Sequence, residues 1–341
     1  MKFDFVIGNP PYQTETVGEQ KNFASSIYPF FMDSAYSISD KVELITPARF
    51  LFNVGNTSKT WNKKMLSDNH FKVLHFEMSS KNVFPNTDIK GGVAITYRDS
   101  SKDFGAIDVF TSFDELNKIL NKVKNKIDRS MSDIIYVQNR FNSDVLFKEH
   151  PECKSQLGSE GKDLRLESNI FEKTQLFFDT PKSDNDLEIV GISNLKRVRK
   201  YINQNYISKN HENLSKYKVL IPASNGSGAL GEVLSTPLIG TPLIGYTRSF
   251  IGIGAFEQQD VAENCMKYVK TKFARAMLGV LKVTQGNKGN VWKYVPVQDF
   301  TDESDIDWGK SIAEIDQQLY MKYGLTEDEI SFIESHVKEM E

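Results

Sequence analysis

The first hundred residues alternate between short apolar runs and longer amphipathic stretches. Phe3 to Ile7 (FDFVI) is rich in aromatic and β-branched residues and is cut off by Gly8-Asn9-Pro10-Pro11. That pattern predicts a buried strand entering a tight turn, because glycine and proline punctuate regular structure. Asn22 to Ile38 carries Ile27, Phe30, Phe31, Ala35 and Ile38 at spacings a helix would use. Val42 to Thr46, Phe71 to Phe76 and Gly92 to Tyr97 read as further strands. Strands separated by helical stretches predict a largely parallel sheet covered on its faces, an α/β arrangement.

Beyond Gly105 the texture changes. Asp114 to Ile127 is amphipathic, with Leu116, Ile119, Leu120, Val123 and Ile127 on one helical face. Residues 128–190 are polar and mixed, and their pattern assigns no architecture. Lys218 to Pro222 predicts a strand followed by a glycine-rich loop, and Asp260 to Val283 one long helix with basic residues along a side. Thr326 to Met340 predicts a helix opened by a capping box of Thr326 and Glu329. The tandem TPLIG at 236–245 is a short echo, not a solenoid repeat.

Composition adds limits. The chain has 341 residues, 39% hydrophobic and 26% charged, enough for about two folded domains and a real core. No apolar run approaches the roughly 20 residues of a membrane span, and the N-terminus has no secretory pattern. A cytoplasmic protein without membrane contact is the expectation. Cys153 and Cys265 read as idle thiols in a reducing compartment, and His70, His75, His150, His211 and His336 show no metal-ligand spacing.

The net charge of −3 argues mildly against a nucleic-acid partner until its distribution is read. Asp299 to Glu341 holds thirteen acids and three lysines, a net of −10, so residues 1–298 carry +7. Residues 191–219 hold seven Lys/Arg against Glu212, and residues 263–293 hold seven against Glu263. An acidic C-terminal stretch masks a basic middle, and nucleic acid returns as a partner.

The residues that carry chemistry are Asn9-Pro10-Pro11-Tyr12, at the end of the first strand. In doubly wound sheets ligands bind beyond the carboxyl ends of strands. The Asn9 amide oxygen and the Pro10 carbonyl can both accept hydrogen bonds from an exocyclic amine whose lone pair is delocalised into a ring. Two such acceptors outside the ring plane favour a pyramidal, more nucleophilic nitrogen and stabilise the positive charge developing on it. The prolines hold the carbonyl rigidly, and Tyr12 offers a flat face for a base that must leave the duplex to reach it. A plain strand-to-turn punctuation is the competing reading of the same four residues.

Strand-Asn-Pro-Pro-Tyr resembles the catalytic motif of S-adenosylmethionine-dependent amino-methyltransferases. The tracts ITPARFLFN (45–53), SKTWNKKML (58–66) and NVFPNTDIKGGVAITY (82–97) are similar to adenine-N6 DNA methyltransferases of type II restriction–modification systems. KRVRKYI (196–202), YKVLIPASNGSG (217–228), YVKTKFAR (268–275) and YVPVQDF (294–300) resemble their target-recognition region.

The resemblance implies a partial doubly wound, Rossmann-like methyltransferase sheet over residues 1–105. A mixed α+β target-recognition domain with an acidic helical end then covers 106–341. It assigns Asn9, Pro10, Pro11 and Tyr12 to catalysis, with Phe84, after the sheet's sixth strand, stacking on the other face of the base. In that region Lys196, Arg197, Arg199, Lys200, Asn225, Arg248, Lys272 and Arg275 are the candidate DNA-binding residues, with Gln285 as a further base reader. Double-stranded DNA is the implied partner.

In such enzymes the S-adenosylmethionine half precedes the catalytic motif, which here begins at residue 9. The expectation is that the cofactor half is absent from this chain, that a second polypeptide or a missing N-terminal segment supplies it, and that a cognate endonuclease, fused or separate, accompanies it. The one glycine-rich candidate, Asn225 to Gly231, is followed by an extended stretch rather than the helix a cofactor loop should open. Two alternatives stay open: a non-catalytic DNA-binding module left by truncation, and the same motif acting on a protein glutamine or an RNA base.

Overall fold

The computed structural model describes residues 3–14, 25–53, 55–87, 89–159 and 161–340. The chain divides into two compact units, residues 1–117 and 118–341.

The first unit is a four-stranded sheet in the order β1-β2-β4-β3, with β1 Val6–Gly8, β2 Lys41–Pro47, β3 Phe71–Glu77 and β4 Val93–Asp99. β1 pairs with β2 in parallel, while β4 lies between β2 and β3 and runs against both. Direct pairing is therefore parallel at one ladder only, a correction to the largely parallel sheet expected. The first three strands do point the same way, since β3 opposes the strand that β2 opposes. The helices α1 Tyr28–Ile38 and α2 Lys59–Leu66 supply buried Tyr28, Met32, Met65 and Leu66 to a core shared with Val42, Leu44, Phe50 and Phe71.

α1 is shorter than the expected Asn22–Ile38 helix, and residues 22–24 lie outside the described residues. Pro29 stands in its first turn, where the missing N–H has no intrahelical partner to lose. Its other face stays uncovered: Phe30 and Phe31 are exposed, as are Phe5 and Ile7 at the edge strand β1.

The second unit begins inside helix α3 Asp114–Lys124, whose Leu116, Ile119, Leu120 and Val123 are buried as its periodicity requires. The stretch the pattern left unassigned contains β5 Ile135–Tyr136 and the short helices α4 Ser143–Glu149, α5 Cys153–Gln156 and α6 Ile170–Lys173. It ends by entering β6 Asp186–Ser193, which forms a hairpin with β7 Lys196–Asn203.

After β8 Tyr217–Pro222 come β9 Leu238–Gly240, β10 Ile244–Tyr246 and β11 Phe250–Phe256. These strands build a three-stranded sheet, β10-β6-β7, and a four-stranded one, β5-β11-β8-β9. Val190, Leu220, Tyr246 and Phe250 form a buried cluster drawing on both sheets.

The single long helix expected over Asp260–Val283 is two, α7 Gln259–Lys270 and α8 Lys272–Gly279. Thr271, with ψ 149°, breaks the helix and caps the second one by accepting from the Ala274 N–H. The last helices, α9 Ile312–Tyr323 and α10 Glu327–His336, each open with a capping box, Ser311/Glu314 and Thr326/Glu329.

Candidate active site and nucleic-acid interface

β1 carries the chain to Gly8, which stands opposite Leu44 of β2. The motif follows without regular structure, leaving Asn9 and Pro11 exposed and Pro10 and Tyr12 half-buried. Three backbone contacts tie down its far end. The Tyr12 carbonyl accepts from the Ile27 N–H at 3.1 Å, Gln13 bridges Ser26, and the Thr14 N–H donates to the Ser25 carbonyl. Tyr12 packs its ring against the core, with its hydroxyl buried and lacking a well-aligned hydrogen-bond partner among the described residues. Burial pushes that phenol's pKa up, opposed by the Asn9 side chain beside it.

A cavity of about 470 Å³ opens at this end of the motif. Tyr12, Tyr28, Arg49, Asn56, Thr87 and Lys90 contribute to its lining. Two glycines leave the room that Arg49 occupies: a Cβ at Gly91 (φ +86°) would lie 2.5 Å from its Cγ, and one at Gly55 (φ +95°) 3.2 Å from its Cβ. Tyr28 is buried, which raises its phenol pKa, and Arg49 is close enough to oppose the rise. No described lining residue is a carboxylate. Asn9 and Phe84 do not line the cavity. Phe84 lies on the loop that does, where its carbonyl accepts from the N–H of Thr87.

Of the cations singled out in the second unit, the structure gathers Lys196, Arg197, Arg199 and Lys200 on β7. The Lys196 side chain is exposed and has no ion-pair or hydrogen-bond partner among the described residues. Arg197 donates to the Thr236 carbonyl at 2.7 Å and lies over the Phe250 ring. Arg199 pairs with Glu188 at 2.7 Å but keeps half its side chain in solvent, and Lys200 pairs with Asp179. Lys196, Arg199 and Lys200 share a depression of about 500 Å³ with Asn194.

The other cations are placed differently. Arg275 is 2% exposed and donates to the carbonyls of Lys270, Gly231 and Lys338, so it cannot reach DNA. Burial lowers its pKa to about 10. The expectation of a basic helical side fails there because the chain turns at Thr271 and folds its C-terminal stretch over α8. Lys272 is largely covered and paired with Glu334. Arg248 is half-exposed and paired with Glu167 at 2.9 Å. Gln285 is exposed, and its carbonyl accepts from the Asn225 N–H.

The glycine-rich loop is occupied by its own chain. The Asn225 side chain donates to the Val233 carbonyl and accepts from the Asn287 amide. The Glu232 carboxylate accepts from the Ser227 N–H, the Ser227 hydroxyl and the Gly228 N–H. These donors hold its pKa down at about 2. Consecutive backbone N–H groups of this kind make an anion nest, here filled from within. The residues present therefore do not fit S-adenosylmethionine at this loop.

Two residues of these sites lie outside the sequence expectations. Arg49 stands in the tract ITPARFLFN, whose signal is its resemblance alone. Glu232 has a visible signal, an acid just beyond a Gly-Ser-Gly turn.

Residues 1–84 match the family model of the Eco57I restriction-modification methylase. An uncharacterized adenine-specific methylase of Mycoplasma pneumoniae (strain ATCC 29342 / M129 / Subtype 1) is 34% identical over 95 residues, 27% of this chain. The matched segment spans 22% of that relative's length. The resemblance to adenine methyltransferases of restriction–modification systems is thus found independently in the N-terminal part of the chain.

Among solved structures, the type IIG restriction endonuclease BpuSI aligns over 91% of this chain and 48% of its own, at 10% identity and a TM-score of 0.32. The type IIL restriction-modification enzyme MmeI, in complex with DNA, aligns over 98% and 56%, at 9% identity and a TM-score of 0.34. Scores this low place no residue. No helix among the described residues is long and apolar enough to cross a membrane.

Proposed function

We propose that this chain is the target-base and DNA-recognition portion of an adenine-N6 DNA methyltransferase of a restriction–modification system. The observation that carries the reading is the Asn9-Pro10-Pro11-Tyr12 motif at a strand end beside a cavity of about 470 Å³, with two cations and no carboxylate on its described lining. In this reading a flipped adenine stacks on Tyr12, with Phe84 closing its other face. The Asn9 amide oxygen and Pro10 carbonyl accept from its N6 amine, and Arg49 and Lys90 take the adjoining phosphate.

The methyl donor of the reading is S-adenosylmethionine, and no role toward it is assigned to the described residues. The element that holds it packs, on this proposal, against the outer edge of β1, where Phe5 and Ile7 are exposed. Another segment of the protein or a second polypeptide supplies that element. The misfit of the glycine-rich loop favours a second reading, a DNA-binding module without catalysis.

One experiment separates them. The chain, alone and with the product of the neighbouring gene, is incubated with labelled S-adenosylmethionine and unmethylated DNA, and the nucleosides are analysed. N6-methyladenine is expected from the competent mixture. Label on protein or RNA alone overturns the proposal, and salt-sensitive DNA binding without methylation in either mixture selects the second reading.

A further inference from the structure

The β6–β7 hairpin turns through two residues, Asn194 and Leu195, between the paired Ser193 and Lys196. Both have positive φ, 49° and 61°, as a type I′ turn requires. Asparagine tolerates that backbone and glycine prefers it, but a leucine side chain there crowds the following carbonyl. Leu195 is also 100% exposed. Its side chain therefore gains nothing from burial and holds a backbone that another residue would hold at less cost. Strain of this kind persists where a function requires the side chain.

The flanks say what that function faces. Lys196 follows directly, without a partner among the described residues, and Arg199 lies three residues on with half its side chain in solvent. An apolar tip on a two-stranded ribbon with cations behind it has the chemistry of a wedge for duplex DNA. The cations take phosphates, and the leucine enters between stacked bases.

We infer that Leu195 is an unstacking wedge, inserted at a deformable base step when the β6–β7 hairpin grips DNA. The inference rests on the DNA reading above but concerns a different unit of the chain. It gives the hairpin a task distinct from the Asn9 site: bending or opening the duplex.

The probe is a duplex of alternating TA steps, which unstack most readily, carrying 2-aminopurine in place of some adenines. Wild-type chain is expected to bind it and raise its fluorescence. Leu195→Gly is expected to melt at or above the wild-type temperature, because it relieves the turn, yet to bind about fivefold more weakly without the fluorescence rise. Lys196→Ala is expected to weaken binding in a salt-dependent way and keep the rise. A Leu195→Gly chain that binds and unstacks like wild type overturns the wedge alone. A wild-type chain that binds no duplex overturns both the wedge and the DNA reading.

Discussion

Residues 191–219 and 263–293 each carry seven cations and one acid, and from their composition either could be the DNA-facing surface. The fold treats them unequally. In the second stretch, Lys267 donates to the Trp308 carbonyl, Lys272 pairs with Glu334, and Lys282 is buried between the Asn225 carbonyl and Glu232. Arg275 binds three carbonyls, one of them Lys338, while Lys288 and Lys293 at the end of the stretch stay exposed. Several of these partners come from the acidic C-terminal stretch, so that stretch is engaged with α7 and α8 rather than spread as a general mask.

The first stretch is itself divided. Lys218 is fully buried, its ammonium donating to the carbonyls of Asn213, Leu214, Lys216 and Thr241. Lys196, Arg197 and Arg199 of β7 stay at the surface, on a strand at the edge of its sheet. A count of cations in sequence measures neither of these outcomes. What decides them is whether the side chain sits on an edge strand, as on β7, or on an element covered by its neighbours, as on β8 and α8.

The largest expected effect lies at Arg275. Arg275→Ala removes the guanidinium donor from the Lys270 and Lys338 carbonyls in a covered position, the Gly231 carbonyl keeping the Lys338 N–H, and a loss of about 2–4 kcal/mol in urea unfolding is expected. DNA affinity per folded molecule should not change; a fall in affinity with stability intact would break the contrast.

Next comes Glu232→Gln, which removes a carboxylate with three charge-assisted hydrogen bonds and should cost about 1–2 kcal/mol near neutral pH. The folded pKa of about 2 lies below the usual 4.5. The unfolded chain therefore binds the extra proton, and the stabilisation is complete above pH 4.5 and lost as pH falls toward 2. Acid unfolding curves should show that limb flattened in the glutamine variant; an unchanged limb would return the loop to the list of open anion sites.

Smallest in stability are Lys196→Ala and Arg199→Ala, each expected within about 0.5 kcal/mol of wild type. Each cation withdrawn from a phosphate should nevertheless lower the slope of log affinity against log salt by about 0.9. Lys272→Ala should leave that slope alone. Equal slopes for all three variants would erase the distinction between strand and helix.

What was legible in the sequence follows the same line. β2, β3 and β4 are legible to within a residue or two as apolar runs; β2 and β4 bury most of their side chains, whereas β3 buries Phe71 and leaves Leu74 exposed. β7 was seen as a charge cluster and not as a strand, since its exposed positions are filled by Lys196, Arg197 and Arg199. The break at Thr271 was invisible because apolar spacing continues through it, and only its side-chain cap marks the end. At the candidate site the motif from Asn9 to Tyr12 was plain. The cavity beside it was not, since Arg49, Asn56 and Lys90 meet there only when separate loops come together.

The central claim, that the strand-end motif holds the target amine, is tested most directly by methyl transfer in a single turnover. The wild-type chain and Asn9→Ala are compared in the competent mixture, with DNA affinity measured alongside. Loss of one preorganised acceptor should slow N6-methyladenine formation by about a hundredfold or more and leave DNA affinity unchanged. Wild-type methylation by the Asn9→Ala chain would contradict the assignment.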